Sequence, residues 1–302
     1  MPDVAVVTDT THYLPRETVA ELGVGEVSLY INDGERAERE ADIVDLAAFY
    51  DTLRTADTLP TTSQPSIGDF LAVYEPLVRD GRDIVSIHIS GGISGTVEAA
   101  RQAAAELAAS GARIEVIDSK LACGALGMVV LATVAHARTG AGVEAVAARA
   151  REAAGATRLW FAVDTLEYLQ RGGRIGAAQA WLGGALKIKP ILTFDGEIVP
   201  IERVRTSGKA FDRMVHYLQS RHDDGADGWV IQHIQAPDVC ARLAGQHAKD
   251  QADPHAGVRD HPGRARAHRR PRVRADGRLP DVAPRRRRRR LGDPAHPGGR
   301  AG

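Results

Sequence analysis

The chain has 302 residues, with 39 Lys/Arg and 39 Asp/Glu, enough for one large domain or two medium ones. The balance conceals a split: Gln246 to the end holds 16 basic and 6 acidic residues, leaving 23 and 33 for Met1 to Gly245. An acidic body gives no electrostatic reason to expect a nucleic-acid partner, and two cysteines in no CxxC spacing suggest neither a disulfide framework nor a metal site. No basic-then-apolar leader and no run of eighteen apolar residues is present, so a cytoplasmic location is the expectation.

Taken in order, "DVAVVTD" (3–9) reads as a short buried strand, and Pro15 opens a helix through about Leu22. "EVSLYI" (26–31) reads as a second strand. "DIVDLAAFYDTLR" (42–54) carries apolar residues at Ile43, Leu46, Ala47, Tyr50 and Leu53, the spacing of one helical face. "TTSQPS" (61–66) reads as a loop leading into the helix of "IGDFLAVYEPLV". "DIVSIHI" (83–89) is a strand, followed by a glycine- and hydroxyl-rich loop, "SGGISGT" (90–96), and a helix to about Ser110. "RIEVIDS" (113–119) is a strand, and two helices follow between Ala122 and Ala154.

Strand and helix alternate throughout, which predicts an α/β fold with a mainly parallel sheet covered on both faces. In such sheets ligands sit beyond the carboxyl ends of the strands. Asp9 to Thr11, Ser90 to Thr96 and Asp118–Ser119 all fall there.

After Gly155 the pattern changes. "RLWFAVD" (158–164) is a strand, and short helices follow. "KIKPILTF" and "EIVPIERV", separated by Asp195–Gly196, read as a hairpin. A helix over 207–221 and a strand over 228–234 complete what reads as a smaller α+β domain. The expected organisation is an α/β sheet domain over 1–155, a second domain over 156–246 with a ligand cleft between them, and a basic tail over 247–302.

The tail has no Phe, Trp, Tyr, Ile or Met and carries six consecutive arginines at 285–290. Such a composition buries too little apolar surface to offset its ordering entropy, so it is expected to be disordered. A frameshifted end, with GC-rich DNA read out of register, accounts for it better than an RNA-binding arm does.

The loop at 90–96 admits several readings. Glycines can simply make the turn, with Ser94 or Thr96 capping the helix. A nucleophile elbow needs Gly-x-Ser-x-Gly, and Thr96 stands where its last glycine belongs. The dinucleotide and P-loop fingerprints are absent. An anion site at a helix N-terminus remains, with Ser94 and Thr96 adding hydroxyls. Thr61, Thr62 and Ser63 form a second hydroxyl cluster, and Arg203 and Arg205 are candidate cations.

Seven motifs then occur in a fixed order: "VVTDTTHYLP", "TTSQPS", "HISGGISGT", "IEVIDSKLACGALG", "VDTLEYLQRGGRI", "LKIKPILTFDGEI" and "VRTSGKA". Together, over about residues 3 to 245, they resemble the DegV family, the fatty-acid-binding proteins that serve bacterial fatty acid kinase. The resemblance implies a two-domain α/β carrier, not an enzyme and without a cofactor. It would hold a long-chain fatty acid between its domains and present the carboxylate to a separate kinase, with only transient membrane contact.

On that resemblance Thr62 and Ser94 match carboxylate-binding hydroxyls and Arg205 a head-group arginine, supported by Ser63, Gly95 and Thr96. Arg171 and Arg174 of "RGGR" lie where the family meets its kinase. The family's terminal His-x-Gly-Pro-Gly type motif has no match after Gly245. Burying about fourteen methylenes at about 0.8 kcal/mol each gives on the order of 11 kcal/mol gross. Affinity is therefore expected from the chain, and orientation from the hydroxyls. Apolar residues of 97–109 and 121–135 are the candidate walls, with ordinary core the competing expectation for each of them. The competing expectation is an enzyme on a small phosphorylated or keto substrate, in the manner of dihydroxyacetone kinase subunits, which attach substrate to a histidine. His12 and His88 are the histidines near the sheet edge, and His88 is expected to pack within its strand.

Overall fold

The structure, a computed structural model, describes residues 3–182, 188–226 and 228–252. The first region is a four-stranded parallel sheet in the order β2-β1-β6-β7, made of β1 (Val4–Asp9), β2 (Gly25–Val27), β6 (Asp83–His88) and β7 (Ile114–Asp118). α1 (Arg16–Leu22) joins β1 to β2. α3 (Ile67–Arg79) leads into β6, and α4 (Thr96–Glu106) joins β6 to β7. α5 (Cys123–Ala137) and α6 (Val143–Ala156) follow.

The strands are apolar on both faces because both are covered. Val4, Val6, Val85 and Ile87 pack with Leu126, Val129 and Val130 of α5 and with α6. Ala5, Val7 and Ile84 pack with Phe70 and Tyr74 of α3 and the alanines of α4. α3 begins where Ser66 and Asp69 satisfy each other's backbone N–H groups in a capping box.

The segment expected as one strand over 26–31 divides in two. The Ser28 hydroxyl donates to the Leu29 carbonyl and accepts from Ala41 N–H, while Leu29 N–H donates to Thr10 Oγ1. Side chains thus satisfy backbone groups that a ladder would use, and the chain leaves the parallel sheet. β3 (Tyr30–Asp33) enters a small antiparallel sheet with β4 (Arg36–Arg39) and β5 (Thr61–Ser63), in the order β4-β3-β5. The expected loop at 61–66 therefore begins with an edge strand. α2 (Leu46–Thr55) is shorter than expected, because Asp45 caps it by accepting from Ala48 N–H.

The later region is built on β8 (Trp160–Ala162), β9 (Lys189–Asp195) and β10 (Glu197–Val204), in the order β10-β9-β8. β9 and β10 form the expected hairpin, and Gly196 takes the left-handed turn position at φ 74°. α7 (Glu167–Arg171) precedes the hairpin. α8 (Ser207–Asp223), capped by Thr206, and α9 (Pro237–Ala252) follow it.

Ile191 and Val204 pack with Ala210 of α8, and Trp160 stacks on Tyr217. The opposite face, with Leu192, Phe194 and Ile198, joins the core of α5 and α6. The apolar core is therefore continuous across residue 155.

The strand expected over 228–234 is absent. That stretch is anchored by side-chain amides instead of a ladder: Gln232 Oε1 accepts from Gly124 N–H at 2.7 Å, and Gln232 Nε2 donates to Tyr13 O. Gln235 bonds Asp51 and Arg54 of α2. Of the expected disordered tail, residues up to Ala252 belong to α9. The remainder, with the arginine run and the frameshift reading, lies outside the described residues.

Candidate functional site

β1 and β6 are neighbours, yet the chain leaves β1 toward β2 and leaves β6 toward β7, in opposite directions across the sheet. This is a topological switch point, where an open α/β sheet forms its ligand crevice. The loops that leave it are Thr10–Leu14 and Ser90–Gly95, two of the segments marked by the sequence.

A buried polar relay underlies both loops. Asp9 and His88, fully buried, stand one step beyond the last registered β1–β6 pair, Thr8–Ile87. Asp9 Oδ2 lies 3.0 Å from His88 Nδ1 and accepts from Ile89 N–H at 2.9 Å. Asp9 Oδ1 accepts from Thr11 N–H and from the Thr11 hydroxyl. His88 Nε2 lies 2.6 Å from Ser86 Oγ, which also accepts from the Tyr74 hydroxyl at 2.7 Å. Burial alone would raise the Asp9 pKa, but the hydrogen bonds from His88, Thr11 and Ile89 outweigh it and hold the carboxyl below its ordinary value. Burial raises the Tyr74 pKa, which keeps its hydroxyl a donor to Ser86.

Ser86, His88 and Asp9 have the connectivity of a hydrolase triad. All three are sealed from solvent, so no substrate reaches the serine. His12 is likewise buried: its Nδ1 accepts from Leu14 N–H and its Nε2 faces Glu26 Oε2 at 2.8 Å.

Much of the 90–96 loop holds its own backbone. Ile93 and Ser94 N–H donate to Ser90 O, Gly92 N–H donates to Ser90 Oγ, and Gly91 N–H donates to Asp118 Oδ1. The Ser90 hydroxyl donates to Gly196 O of the hairpin turn. Gly95 and Val97 N–H have no partner among the described residues. The Ser94 and Thr96 hydroxyls bond each other at 2.8 Å, with Thr96 buried and Ser94 partly exposed. Two backbone donors and one hydroxyl pair at the start of α4 therefore remain for an anion.

The 61–66 segment lies against this loop. A Cβ on Gly95 would stand 2.0 Å from Gln64 Oε1, so the Gln64 amide covers the Gly95 backbone. Thr62, two residues earlier, is exposed and directly opposite Ile31. Ile31 also lines a cavity of about 480 Å³ between α2 and the small sheet, with Ile43, Phe49 and Leu53 among its apolar walls and Arg36 and Glu38 at its polar part. Ser63 Oγ accepts from Asn32.

Arg174 Nε donates to Ile93 O at 3.3 Å, next to Ser94. Arg171 pairs with Glu167 and donates to Asp57 O. Both arginines are exposed. Arg205 is exposed, with no partner among the described residues, and follows the end of β10 opposite the turn that touches Gly92. Arg203 lies over the Trp181 ring at 5.3 Å. The structure thus brings together the 61–66 and 90–96 segments, the hairpin turn and Arg174, and sets Arg205 at the hairpin's other end.

Sequence reasoning missed the Gln64 and Arg174 contacts, because nothing in their local pattern encodes a long-range partner. Asp9 was legible only as a strand-end acid. In the spans expected to supply tunnel walls, Val97, Ala99, Ala100 and Ala103 of α4 and Leu126, Val129, Val130 and Val134 of α5 are buried in the core. Among the described residues no cluster of potential metal ligands occurs, and no helix is long and apolar enough to cross a membrane.

An α/β protein with hydroxyl-rich loops at the switch point of a parallel sheet is the class that fold and site define. A family model described as "Uncharacterised protein, DegV family" matches residues 3–270, beyond the stretch from which the resemblance was read. Protein DegV of Bacillus subtilis is 38% identical over 225 residues, covering 74% of this chain and 79% of its own. A DegV domain-containing protein of Streptomyces coelicolor is 39% identical over 244 residues, covering 80% and 85%. The crystal structure of DegV from Bacillus subtilis, a fatty acid binding protein, superimposes with a TM-score of 0.73 at 35% identity, covering 82% of this chain and 89% of that one. A Thermus thermophilus DegV family protein, described for its fatty acid binding, gives a TM-score of 0.70 at 31% identity, covering 85% and 90%. The chain belongs to the DegV family.

Proposed function

We propose that this protein is a lipid carrier, not an enzyme: it binds a long-chain fatty acid and presents the carboxylate to a separate fatty acid kinase, which forms the acyl phosphate. The observation that carries the reading is the relationship, above 30% identity and with the fold shared, to two solved proteins described as binding fatty acids. Chemistry supports it. In this reading Ser94, Thr62 and the N–H groups of Gly95 and Val97 are neutral donors, which orient a carboxylate while leaving it ionised. A carboxylate left nucleophilic is what a phosphoryl acceptor needs.

In this reading residues 1–155 and 156–246 act as two lobes, and Thr62 and Ser94 bond the carboxylate, supported by Ser63, Gly95 and Thr96. Arg205 supplies positive charge to the head group, and Arg171 and Arg174 meet the kinase. The cytoplasm is where the kinase's nucleotide is found, and membrane contact is limited to loading. The rival enzyme on a phosphorylated or keto substrate needs an accessible histidine, whereas His12 and His88 are buried and committed to Glu26 and Asp9.

Mass spectrometry of lipid extracted from the purified chain is the test, and a fatty acid at about one per chain is the expected result. No copurified or added fatty acid bound would overturn the reading. Thr62→Ala with Ser94→Ala is expected to cost about 3 kcal/mol of binding, from about 1.5 per bond to the carboxylate, and to abolish acyl-phosphate formation. Full acyl-phosphate formation by the double variant would remove both residues from the site.

A further inference from the structure

We infer that Asp9 and His88 are positioning residues for the Ser90–Thr96 ligand loop, acting through the backbone of Ile89; the inference rests on the fatty-acid reading for its ligand. The relay has two ends. At one, Asp9 accepts the N–H of Ile89, the last residue before the loop, and both donors of Thr11, the start of the other crevice loop. At the other, Ser86 and Tyr74 lie deeper, toward α3 and away from either loop. One carboxylate therefore receives four donors and ties the two loops that flank the switch point.

The ring of His88 is held from the side by Phe70, edge to face at 5.0 Å. Its bonds fix a direction of donation: Tyr74 donates to Ser86, Ser86 donates to Nε2, and Nδ1–H donates to Asp9. Ser86 and His88 each give one proton and accept one, Tyr74 only donates and Asp9 only accepts, so no buried polar atom of the relay is left unpaired. His88 O also accepts from Ser119 N–H, and Ser90 N–H donates to Leu121 O. A shift of His88 is passed to the loop after β7 as well. The donors left at the end of the loop, Gly95 and Val97 N–H and the one free hydrogen of the Ser94–Thr96 hydroxyl pair, are aimed by this frame, and preorganised donors bind an anion without a reordering cost.

The test uses the full chain with two readouts: oleate affinity by calorimetry, and amide exchange at residues 89–94 without ligand. Asp9→Asn turns one acceptor into a donor, and His88→Gln keeps a group toward Ser86 but removes the donor to Asp9. Both are expected to weaken oleate binding about tenfold and to speed exchange at 89–94 by a similar factor. His88→Asn places an amide near Nδ1 and is expected to recover most of both. Ser86→Ala and Tyr74→Phe cut the same relay at its deep end; they are expected to lower the melting temperature while oleate affinity stays within about twofold.

If Ser86→Ala and His88→Gln, compared at equal loss of melting temperature, change affinity and exchange alike, the relay is only structural and the inference falls. Should the Asp9 and His88 variants fail to fold, the imidazole nitrogen signals of the unaltered chain decide. Protonated Nδ1 with bare Nε2 is expected, and the reverse tautomer overturns the donation scheme. Exchange at 89–94 needs no ligand. An unaltered chain that ignores oleate while His88→Gln still loosens the loop would sink the fatty-acid reading and leave the positioning role standing.

Discussion

The switch-point loops and the 228–236 segment are both irregular backbone beside the same helix layer, but they are held in opposite ways. At the switch point, side chains and backbone satisfy one another in a closed network whose members, Asp9, Thr11, Ser86, His88 and Ser90, are all buried. Along 228–236, Val230 and Ile234 are exposed, and side-chain amides of Gln232 and Gln235 anchor the segment to α5 and α2. A closed network resists displacement because each broken bond strands a buried partner. An amide at the surface exchanges its partner for water at little cost. The first construction suits a loop that must keep donors aimed, and the second a segment that can move.

The sharpest way to break this comparison is to remove packing on each side. Leu126→Ala, in the core that supports the switch point, is expected to destabilise the chain by about 3 kcal/mol. Ile234→Ala, at a residue 65% exposed, should change stability by no more than about 0.5 kcal/mol. Urea unfolding of both variants measures the difference, and equal losses would mean that 228–236 is as firmly packed as the sheet.

Two glycines sharpen the comparison within the loop itself. A Cβ on Gly92 would stand 2.3 Å from Gly196 O, a backbone atom that cannot step aside. On Gly95 it would meet only the end of the flexible Gln64 side chain. Gly92→Ala is therefore expected to cost about 2 kcal/mol of stability by overpacking, and Gly95→Ala less than about 1. Because Gly95→Ala displaces Gln64, it should weaken ligand binding more than it weakens the fold. A thermal melt beside a binding titration separates the two effects.

Acid probes the network selectively. The Asp9 carboxyl is held below its ordinary pKa in the folded chain, so the folded state holds fewer protons there than the unfolded state as pH falls. Its stabilisation is fully present above the unfolded value, about 3.9, and is lost as pH falls through the lower folded value. Asp9→Asn should flatten that acid limb in unfolding titrations between pH 5 and 2.

The same contrast explains what the sequence made legible. Strands β1, β6 and β7, the hairpin at Asp195–Gly196 and helices α3 to α6 carry strong apolar patterns, and they appear where those patterns place them. "GWVIQHI" carries the same apolar content, but a strand exists only if a partner edge is available. Here the amides of Gln232 and Gln235 find other partners. The division of 26–31 has the same cause, since Ser28 and Thr10 take over ladder bonds. Of the site, the hydroxyl clusters and the strand-end position of Asp9 were readable as local patterns. The Gln64 contact with Gly95 and the Arg174 contact with Ile93 were not, because they join residues 31 and 81 positions apart along the chain.

The smallest expected effect of breaking a hydrogen bond falls on Gln232. Its side-chain carbonyl accepts from Gly124 N–H at the start of α5, one of the helix's unpaired first-turn donors, and its amide reaches Tyr13 O. Gln232→Ala removes both bonds, but Gln232 is exposed, so water can replace it on each partner. The net cost is therefore expected to be about 0.5–1 kcal/mol, the ordinary worth of a hydrogen bond exchanged with solvent. The local signature should be clearer than the global one. Exchange at Gly124 is expected to quicken severalfold, while Ile117 and Leu126, held in the core, keep their rates. If Gln232→Ala instead slows ligand release or quickens exchange at Ser90 to Ser94, the 228–236 segment is mechanically joined to the switch point, and the two regions are not independent constructions.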